Sequence, residues 1–577
     1  MDKRTLLALA LMALVIVVTP RLFTSKRPPA SATDSVAATS AAKGDTTPRA
    51  VSAAPTAAPT AAAIESAAKP LAALPTAVAR RDTTPRESVT LATPHAEYSL
   101  VNPGAVPQSV RIGSYKDLRP GHPDPAGVTI TDGSGPLLRY RLARGADTIQ
   151  LDTVNFAVSN QGSTITFTSP VITLSYAPTN DGYRTAVKGT VTGAGQGAAL
   201  LIDLPSTIRS VEADTADDMR HLAFGYKIPL RDVSSVAFGK LDPGAVRPDT
   251  GSFQWVSVRT KYWLVALMQP VGAKPAGIFR GLVMRGGPRL GKVPNLADAT
   301  TSVPLSNGGG GGAFAFDLYV GPQSWQELHA MGNDLENVNP YAGWFHAVVQ
   351  PFATIVMRVL LWMKATLRVN YGWVLVLFGV GIRLLLWPLN QKAMRTSIQM
   401  QRLQPELSEI QKRYKDNPEK QREALVKVYA DHGMSPFSPM LGCVPMLLPM
   451  PVLFALYFVF QNTIEFRGVS FLWLPDISLR DPLYVIPIVM GASMFVLSWI
   501  GMRASPPNPQ AKVMSYMMPA MFTVMFLNFA SGLNLYYAAQ NIAALPQQWV
   551  LTRERVRAGI GGSQIASTNP ASRSRKT

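Results

Sequence analysis

A single arginine, Arg383, lies within the otherwise apolar stretch 377–388. Placing a guanidinium in hydrocarbon costs roughly 2.5 to 3.5 kcal/mol on insertion scales, and such residues usually face water or pair with another group. The five long apolar segments of the C-terminal half contain no Asp or Glu, so they offer Arg383 no fixed ion-pair partner. We expect this charge to attract anionic or polar groups transiently. The alternative is that its side chain extends to the membrane interface, because Pro388 lies about 7.5 Å further along a helix.

Uncharged polar residues, Asn528, Gln540 and Asn541, occur in the later apolar segments. They either form hydrogen bonds between helices or line a polar groove. The chain of 577 residues has one cysteine, Cys443, which excludes an internal disulfide and a cysteine-based zinc site. No phosphate-binding loop motif and no catalytic constellation stands out in the sequence. We therefore predict that the protein is not an enzyme and has no cofactor or metal.

The elements that must position Arg383 are membrane-spanning helices. The five apolar segments cover about 371–389, 441–460, 483–500, 513–529 and 533–551. Each is close to the ~20 residues that a helix needs to cross ~30 Å of hydrocarbon. Residues 1–24 combine a basic start with a short apolar run and lack a clear small-x-small cleavage site, which favours an uncleaved signal anchor over a cleaved signal peptide. The prediction is six crossings, with five in a C-terminal core.

Positive charge predicts the orientation of these helices. The formal net charge is +19; the loop 390–440 holds nine Lys and Arg residues, and the tail after Leu551 holds six. The loop 461–481 holds only two. Lys and Arg mark cytoplasmic loops, so the sequence predicts a multi-pass membrane protein with both termini in the cytoplasm. Because the basic residues flank the apolar segments, lipid head groups explain the charge better than nucleic acid does.

The N-terminal half reads as a tether followed by a β domain. Residues 25–90 are rich in Ala, Pro and Thr and nearly lack aromatics, which predicts a disordered linker. From 91 to 340, short alternating runs such as 164–168, 171–176 and 255–259 predict an all-β sandwich outside the membrane. Residues 341–368 predict an amphipathic helix in the membrane interface, or alternatively a helix packed on the β domain.

The core, 369–552, contains a cytoplasmic loop with two amphipathic patterns at 391–432, separated by a turn signal at 415–418. These patterns predict a helical hairpin. The hairpin is either a rigid spacer or a docking arm for cytoplasmic partners. As a docking arm, it would bind the ribosome together with the basic tail 553–577.

The order of motifs in the C-terminal half is similar to that of one known family. The motifs are Asn370-Tyr-Gly, Ile382-Arg383 with Trp387-Pro388-Leu389, Leu441-Gly-Cys443 with Pro445, and Ser531-Gly-Leu-x-Leu-Tyr-Tyr537 followed by Asn541 and Gln547-Gln548. Residues 343–554 resemble the YidC/Oxa/Alb membrane protein insertase family. Trp255-Val-x-Val with Lys261-Tyr262, and 317–322, resemble the periplasmic β domain of its Gram-negative members.

The resemblance implies a membrane protein insertase and chaperone for nascent inner membrane proteins, acting alone or with the Sec translocon. A hydrophilic intramembrane groove would receive a polar tail near Arg383. The hydrophobic segment would then leave into lipid past Tyr457, Tyr516 and Thr523. The chain departs from the family at Gly379, where Thr is common, and at Pro449, where Gln is common. These changes predict a less polar groove.

Two other functions compete with this interpretation. A transporter would use Arg383 to bind an anionic solute, but five core helices without an internal repeat or intramembrane carboxylates argue against it. A carbohydrate-binding β domain would need only one helix as an anchor, and five such segments exceed that need.

Overall fold

The computed structural model describes residues 87–121, 127–133, 135–145, 147–273, 276–288, 296–308, 311–339, 346–388, 390–391, 403, 406–407, 409–415, 417–432, 450–503 and 509–557. The predicted anchor 1–24, the linker up to residue 86, much of the first hairpin helix, Cys443, Pro449 and the end of the basic tail lie outside these residues.

The β domain contains twenty strands within the described residues. They are β1 (Ser88–Ala92), β2 (Glu97–Val101), β3 (Val106–Ile112), β4 (Val128–Ile130), β5 (Arg139–Arg144), β6 (Asp147–Gln150), β7 (Ala157–Gln161), β8 (Thr164–Thr168), β9 (Ile172–Pro178), β10 (Arg184–Thr192), β11 (Ala199–Leu204), β12 (Ala223–Lys227), β13 (Ser234–Ala237), β14 (Val246–Phe253), β15 (Trp255–Arg259), β16 (Trp263–Met268), β17 (Phe279–Gly286), β18 (Ala297–Pro304), β19 (Ser306–Gly308) and β20 (Gly311–Pro322).

These strands form three antiparallel sheets. The largest has the order β13-β12-β15-β16-β20-β10-β9-β8-β7, with β19 paired to β20. The second has the order β14-β17-β18-β11-β5-β6, and the third is β1-β2-β3-β4. β1 begins at Ser88, inside the predicted linker, because an alternating run of only five residues is too short to stand out beside the Ala- and Thr-rich sequence before it.

The two larger sheets pack face to face through aromatic side chains. Phe316 of β20 contacts Tyr140 of β5 and Phe279 of β17, each at a ring-centroid distance of 6.4 Å. The hydroxyls of Tyr140 and Tyr176 are 3.0 Å apart in the same core. An all-β sandwich is therefore confirmed, with two short helices added. β15 departs from simple alternation, since all five of its residues are buried and both of its faces are covered.

Nine α-helices have bounds that the structure describes: α1 (Thr215–Arg220), α2 (Trp325–Met331), α3 (His346–Leu367), α4 (Tyr371–Leu385), α5 (Pro418–Asp431), α6 (Met450–Asn462), α7 (Val485–Met502), α8 (Pro509–Phe526) and α9 (Ser531–Arg557). The first two belong to the β domain. α4 and α6 to α9 overlap the five predicted apolar segments. α5 begins where the turn was predicted: the Asn417 side chain accepts a hydrogen bond from the backbone N–H of Lys420, and Pro418 occupies the first turn.

The helical region, defined here as α3, α4 and α6–α9, packs around α9. This helix contacts α4, α6 and α7, while α8 packs on α7 and α3 packs on α6. Apolar side chains remain exposed on the outer faces of α7 and α8, among them Ile488, Phe495, Val513 and Val524. Such faces suit lipid as a solvent.

Among the described residues, α7 alone is long and apolar enough to cross a membrane by itself. Residues 349–367 and α4 pass the same test together, but they are bent by 118° at their junction. α8 holds a shorter apolar stretch, Ser515–Phe526. The count of six crossings therefore stays a prediction.

α3 has two different faces. Ala353, Met357 and Leu360 are buried against the helical region, while Ile355 and Trp362 are exposed. α3 also touches the β domain, because the Arg358 guanidinium lies 5.3 Å from the ring centre of Trp325 in α2. The structure thus shows contact between α3 and the β domain, which was the alternative expectation. An interfacial position for α3 remains a prediction.

Candidate functional site

Arg383 occupies the last turn of α4. The helix is fixed at its other end, where the Asn370 side chain accepts a hydrogen bond from the backbone N–H of Gly372 and donates one to the Ser470 carbonyl. The Nε atom of Arg383 is buried and has no hydrogen-bond partner among the described residues. A buried guanidinium nitrogen without an acceptor is costly, so this position favours an external acceptor group.

Two contacts with α9, one from α4 and one from Trp387 just after it, lie on either side of Arg383. On one side, a Cβ atom at Gly379 would lie 2.9 Å from the Tyr536 carbonyl oxygen and 3.4 Å from the Gln540 nitrogen. On the other side, the Gln547 amide donates a hydrogen bond of 3.2 Å to the Trp387 carbonyl. Residues four apart share one face of a helix, so Arg383 lies on the face of α4 that is turned towards α9.

Gln540 belongs to the same face of α9 as Tyr536 and Gln547, by its spacing of four and seven residues, and it is buried. The structure thus brings Arg383 and Gln540 to one helix–helix contact. Asn541 lies on the adjoining face of α9, and its buried Nδ2 atom has no hydrogen-bond partner among the described residues. Arg383 Nε and Asn541 Nδ2 are therefore two buried hydrogen-bond donors without a described acceptor.

Tyr516 and Thr523 lie at a different contact, between α8 and α7. The Tyr516 ring stacks on Phe495 at 5.2 Å. The Thr523 hydroxyl donates to the Pro519 carbonyl at 2.7 Å, and its side chain lies against Gly491. Both side chains are therefore engaged within the bundle, in a separate place from Arg383.

Tyr457 and Asn528 lie towards the end of the bundle where α8 turns into α9. The Tyr457 ring is 5.5 Å from that of Phe529, which follows α8. Asn528 is exposed in the same turn. The seven predicted groove residues therefore divide into three groups, because residues on different helices and at different heights meet different neighbours.

Three residues outside the predicted groove set shape the Arg383 contact: Gly379, Tyr536 and Gln547. The sequence predicts that Gly379 makes the groove less polar, and in the structure its missing side chain also allows α4 to approach the backbone of α9. Tyr536 is fully buried, and its hydroxyl has no hydrogen-bond partner in the described part of the chain. The helical spacing of Tyr536, Gln540 and Gln547 was the available signal.

The fold and the site together define a class: a helical core with one embedded arginine, joined to a large antiparallel β domain. Residues 362–558 match the family model described as 60Kd inner membrane protein, and residues 138–355 match the model for the YidC periplasmic domain. The chain belongs to the YidC/Oxa/Alb family, in the type that carries a large periplasmic domain.

Curated relatives give the extent of this similarity. A protein of Chlorobium phaeovibrioides, named membrane protein insertase YidC, is 35% identical over 57% of this chain and 56% of its own length. A protein of the same name from Anaeromyxobacter dehalogenans is 28% identical over 82% of this chain and 86% of its own. The chain thus spans about half the length of several curated relatives that it matches. A crystal structure of an active YidC insertase is similar at 18% identity with a TM-score of 0.32, covering 81% of this chain and 93% of that one.

Proposed function

We propose that the protein is an insertase and chaperone that places nascent membrane proteins into the cell inner membrane. The observation that carries this proposal is Arg383, a charged residue at the α4–α9 contact whose Nε has no acceptor among the described residues. The relatives' printed name, membrane protein insertase, supports the same activity. Non-covalent attraction and release of a passing chain suit a site made of one cation and neighbouring amides.

The proposed topology has six crossings, both termini in the cytoplasm and the β domain in the periplasm. The asymmetry of Lys and Arg between the loop 390–440 and the loop 461–481 supports it. In this orientation the C-terminal end of α4 lies in the cytoplasmic half of the membrane. Water entering from the cytoplasm would then reach Arg383.

The proposed mechanism begins when a polar or acidic tail enters a groove beside Arg383, Gln540 and Asn541. The guanidinium offsets part of the free energy of removing that tail from water. The attached hydrophobic segment then moves sideways into lipid, driven by roughly 25 cal/mol per Å² of apolar surface transferred.

An exit beside α8 requires a local rearrangement. Tyr516 and Thr523 are packed against α7, so a passing segment would contact them only after α7 and α8 separate. Tyr457, on α6, would contribute to the other wall. We propose that this separation accompanies release into the bilayer.

The partners proposed are nascent membrane proteins, lipids, the Sec translocon and the ribosome. For the ribosome, α5 offers several basic residues, Lys420, Arg422 and Lys427, on a helix that lies between the core segments. The basic residues of the tail 553–577 supply a second contact of the same sign.

The test is rescue of insertion in a host depleted of the protein. A small single-span substrate with an acidic periplasmic tail is compared with one carrying a neutral tail, in cells supplied with wild type, Arg383→Lys, Arg383→Ala or the control Arg503→Ala. We expect Arg383→Ala to reduce insertion of the acidic substrate about tenfold, equivalent to 1.4 kcal/mol, with Arg383→Lys intermediate. Arg503 lies on the Trp499 ring at the end of α7, so its removal should have little effect.

Two results would contradict the proposal at different levels. Normal insertion of both substrates under depletion would refute the insertase function. Full rescue by Arg383→Ala would remove Arg383 from the mechanism while leaving membership of the family unchanged.

A further inference from the structure

A small polar cavity lies where the β domain meets the helical region. Gln323, at the end of β20, and Glu336 line it from the β domain, and Thr463 and Glu465 line it from the segment after α6. Met357 of α3 closes one side. About 10 Å³ is open to the centre of a water-sized sphere, which is room for one water molecule or one ion.

The orientation of the Gln323 amide is fixed. Its Nε2 donates hydrogen bonds to the carbonyls of Thr260 and Trp263, at 2.9 and 3.1 Å. Exchanging the amide nitrogen and oxygen would place an oxygen against two carbonyl oxygens, so the Oε1 assignment is secure. Gln323 is 5% exposed, and its Oε1 has no donor among the described residues.

Two carboxylates bring further acceptors to this cavity. The Oε1 atom of Glu336 lies 2.8 Å from the Nδ1 atom of His329, within hydrogen-bond distance. The buried Oε2 atom of Glu336 has no hydrogen-bond partner in the described part of the chain. Glu465 accepts a long hydrogen bond of 3.4 Å from Ser324, and its buried Oε2 is likewise without a described partner.

The surroundings add negative charge, although the backbone N–H groups of Trp325 and of Glu465 itself donate to the Glu465 carboxylate. The Thr463 hydroxyl donates a 4.0 Å contact to the Met357 sulfur and accepts no hydrogen bond from the residues that the structure describes. Glu327, in α2, also has a buried Oε2 without a described partner, and it repels Glu465. Arg358 lies on the ring of Trp325 and forms no described ion pair with either carboxylate.

A water molecule can donate only two hydrogen bonds, whereas three residues that line this cavity each have a buried acceptor oxygen without a described partner. Hard cations such as Ca²⁺ and Mg²⁺ are bound by carboxylate and amide oxygens, and two carboxylates balance a double positive charge. We propose that the cavity binds one divalent cation through the Oε1 of Gln323 and the free Oε2 atoms of Glu336 and Glu465. The ion links the β domain to the segment after α6 and stabilises their contact on the periplasmic side.

The proposal is tested on the full chain in detergent micelles after removal of metals with a chelator. Isothermal titration calorimetry with CaCl₂ and with MgCl₂, at ionic strength matched with NaCl, should show one site per chain for one of these ions. Glu465→Gln, which keeps the side-chain shape, should weaken binding at least tenfold. Glu97→Gln removes an exposed carboxylate from β2 and should bind the ion as the wild type does.

Thermal unfolding supplies an independent measurement. A saturating concentration of the bound ion should raise the melting temperature of the wild type and of Glu97→Gln by about 2–4 °C, but not that of Glu465→Gln. Absence of a stoichiometric site in the wild type overturns the proposal, and that result does not depend on whether a variant folds. Equal affinity of Glu465→Gln and Glu97→Gln overturns the assigned ligands.

Discussion

The junction between the β domain and the helical region is expected to depend on one buried ion pair. Arg467, after α6, places its Nε 2.8 and 2.7 Å from the two carboxylate oxygens of Glu212. A second guanidinium nitrogen donates to the Val211 carbonyl at 3.1 Å, and Trp263 donates to Glu212 at 2.9 Å. The two charged side chains are only 2% and 6% exposed, so water does not screen their attraction.

Replacing Arg467 with Met should loosen this junction strongly. The change leaves the Glu212 carboxylate buried with the Trp263 N–H as its remaining described donor. Breaking a buried pair from one side typically costs about 3–5 kcal/mol, whereas an exposed pair contributes less than about 1 kcal/mol. At 1.36 kcal/mol per factor of ten, the opening equilibrium of the segment should increase by roughly two to four orders of magnitude.

Amide hydrogen exchange of residues 464–478, followed by mass spectrometry, measures this opening directly. The matched control is Arg111→Met, which removes an ion pair to Glu97 whose two side chains are about half exposed. We expect exchange of residues 464–478 in this control to remain within about tenfold of the wild type.

A double-mutant cycle measures the interaction free energy of Glu212 with Arg467, apart from the contacts that each residue makes with other neighbours. Because the cost comes mainly from the charge left behind, Glu212→Gln combined with Arg467→Met should be more stable than the sum of the single changes predicts, by at least about 1.5 kcal/mol. Additive single effects, or an Arg467→Met effect no larger than that of the exposed control, would refute the reasoning.

Two further predictions follow from contacts elsewhere. Gly379→Ala should destabilise the helical region by roughly 1–3 kcal/mol, because the added methyl would lie 2.9 Å from the Tyr536 carbonyl oxygen. The matched control is Gly381→Ala, whose added methyl would have no neighbour within 4 Å. This change should be neutral or stabilise the helix by up to about 1 kcal/mol. Equal melting temperatures of the two variants in detergent would contradict the close approach of α4 and α9. In chelating buffer, the melting temperature should fall as pH rises from about 4.5 to about 7 and then level off. Burial raises the pKa values of Glu327 and Glu465 from 4.5 to about 7, and repulsion by Glu465 adds to the shift of Glu327. Below pH 4.5 both carboxyls are protonated in the folded and in the unfolded chain. Glu327→Gln should reduce the change of melting temperature with pH. An unchanged pH dependence in this variant would contradict the assignment of that change to Glu327.

Local patterns were sufficient for much of the fold. The run 164–168 is β8 and the run 255–259 is β15, because alternation along a strand is a property of neighbouring residues. The apolar segments likewise overlap helices, and the turn signal before Pro418 coincides with the start of α5. Length and hydrophobicity are local quantities, so the sequence carries them without knowledge of the neighbours.

Local sequence patterns do not show which helix or segment packs against which. Helical periodicity places Tyr516 and Thr523 on particular faces of α8, but it does not specify that these residues meet α7. Glu212 and Arg467 are 255 positions apart in the chain, and neither has a local signal that indicates the other. Such pairings arise only when separate elements are packed together.

The sequence by itself determined that Arg383 sits in an apolar helix without a carboxylate in the neighbouring apolar segments, because composition alone decides that. Only the tertiary structure decided what surrounds it. Gly379 has no side chain, so α4 approaches the backbone of α9 on one side of Arg383, and the Gln547–Trp387 hydrogen bond joins the same helices on the other. The charge is therefore held at a helix–helix contact.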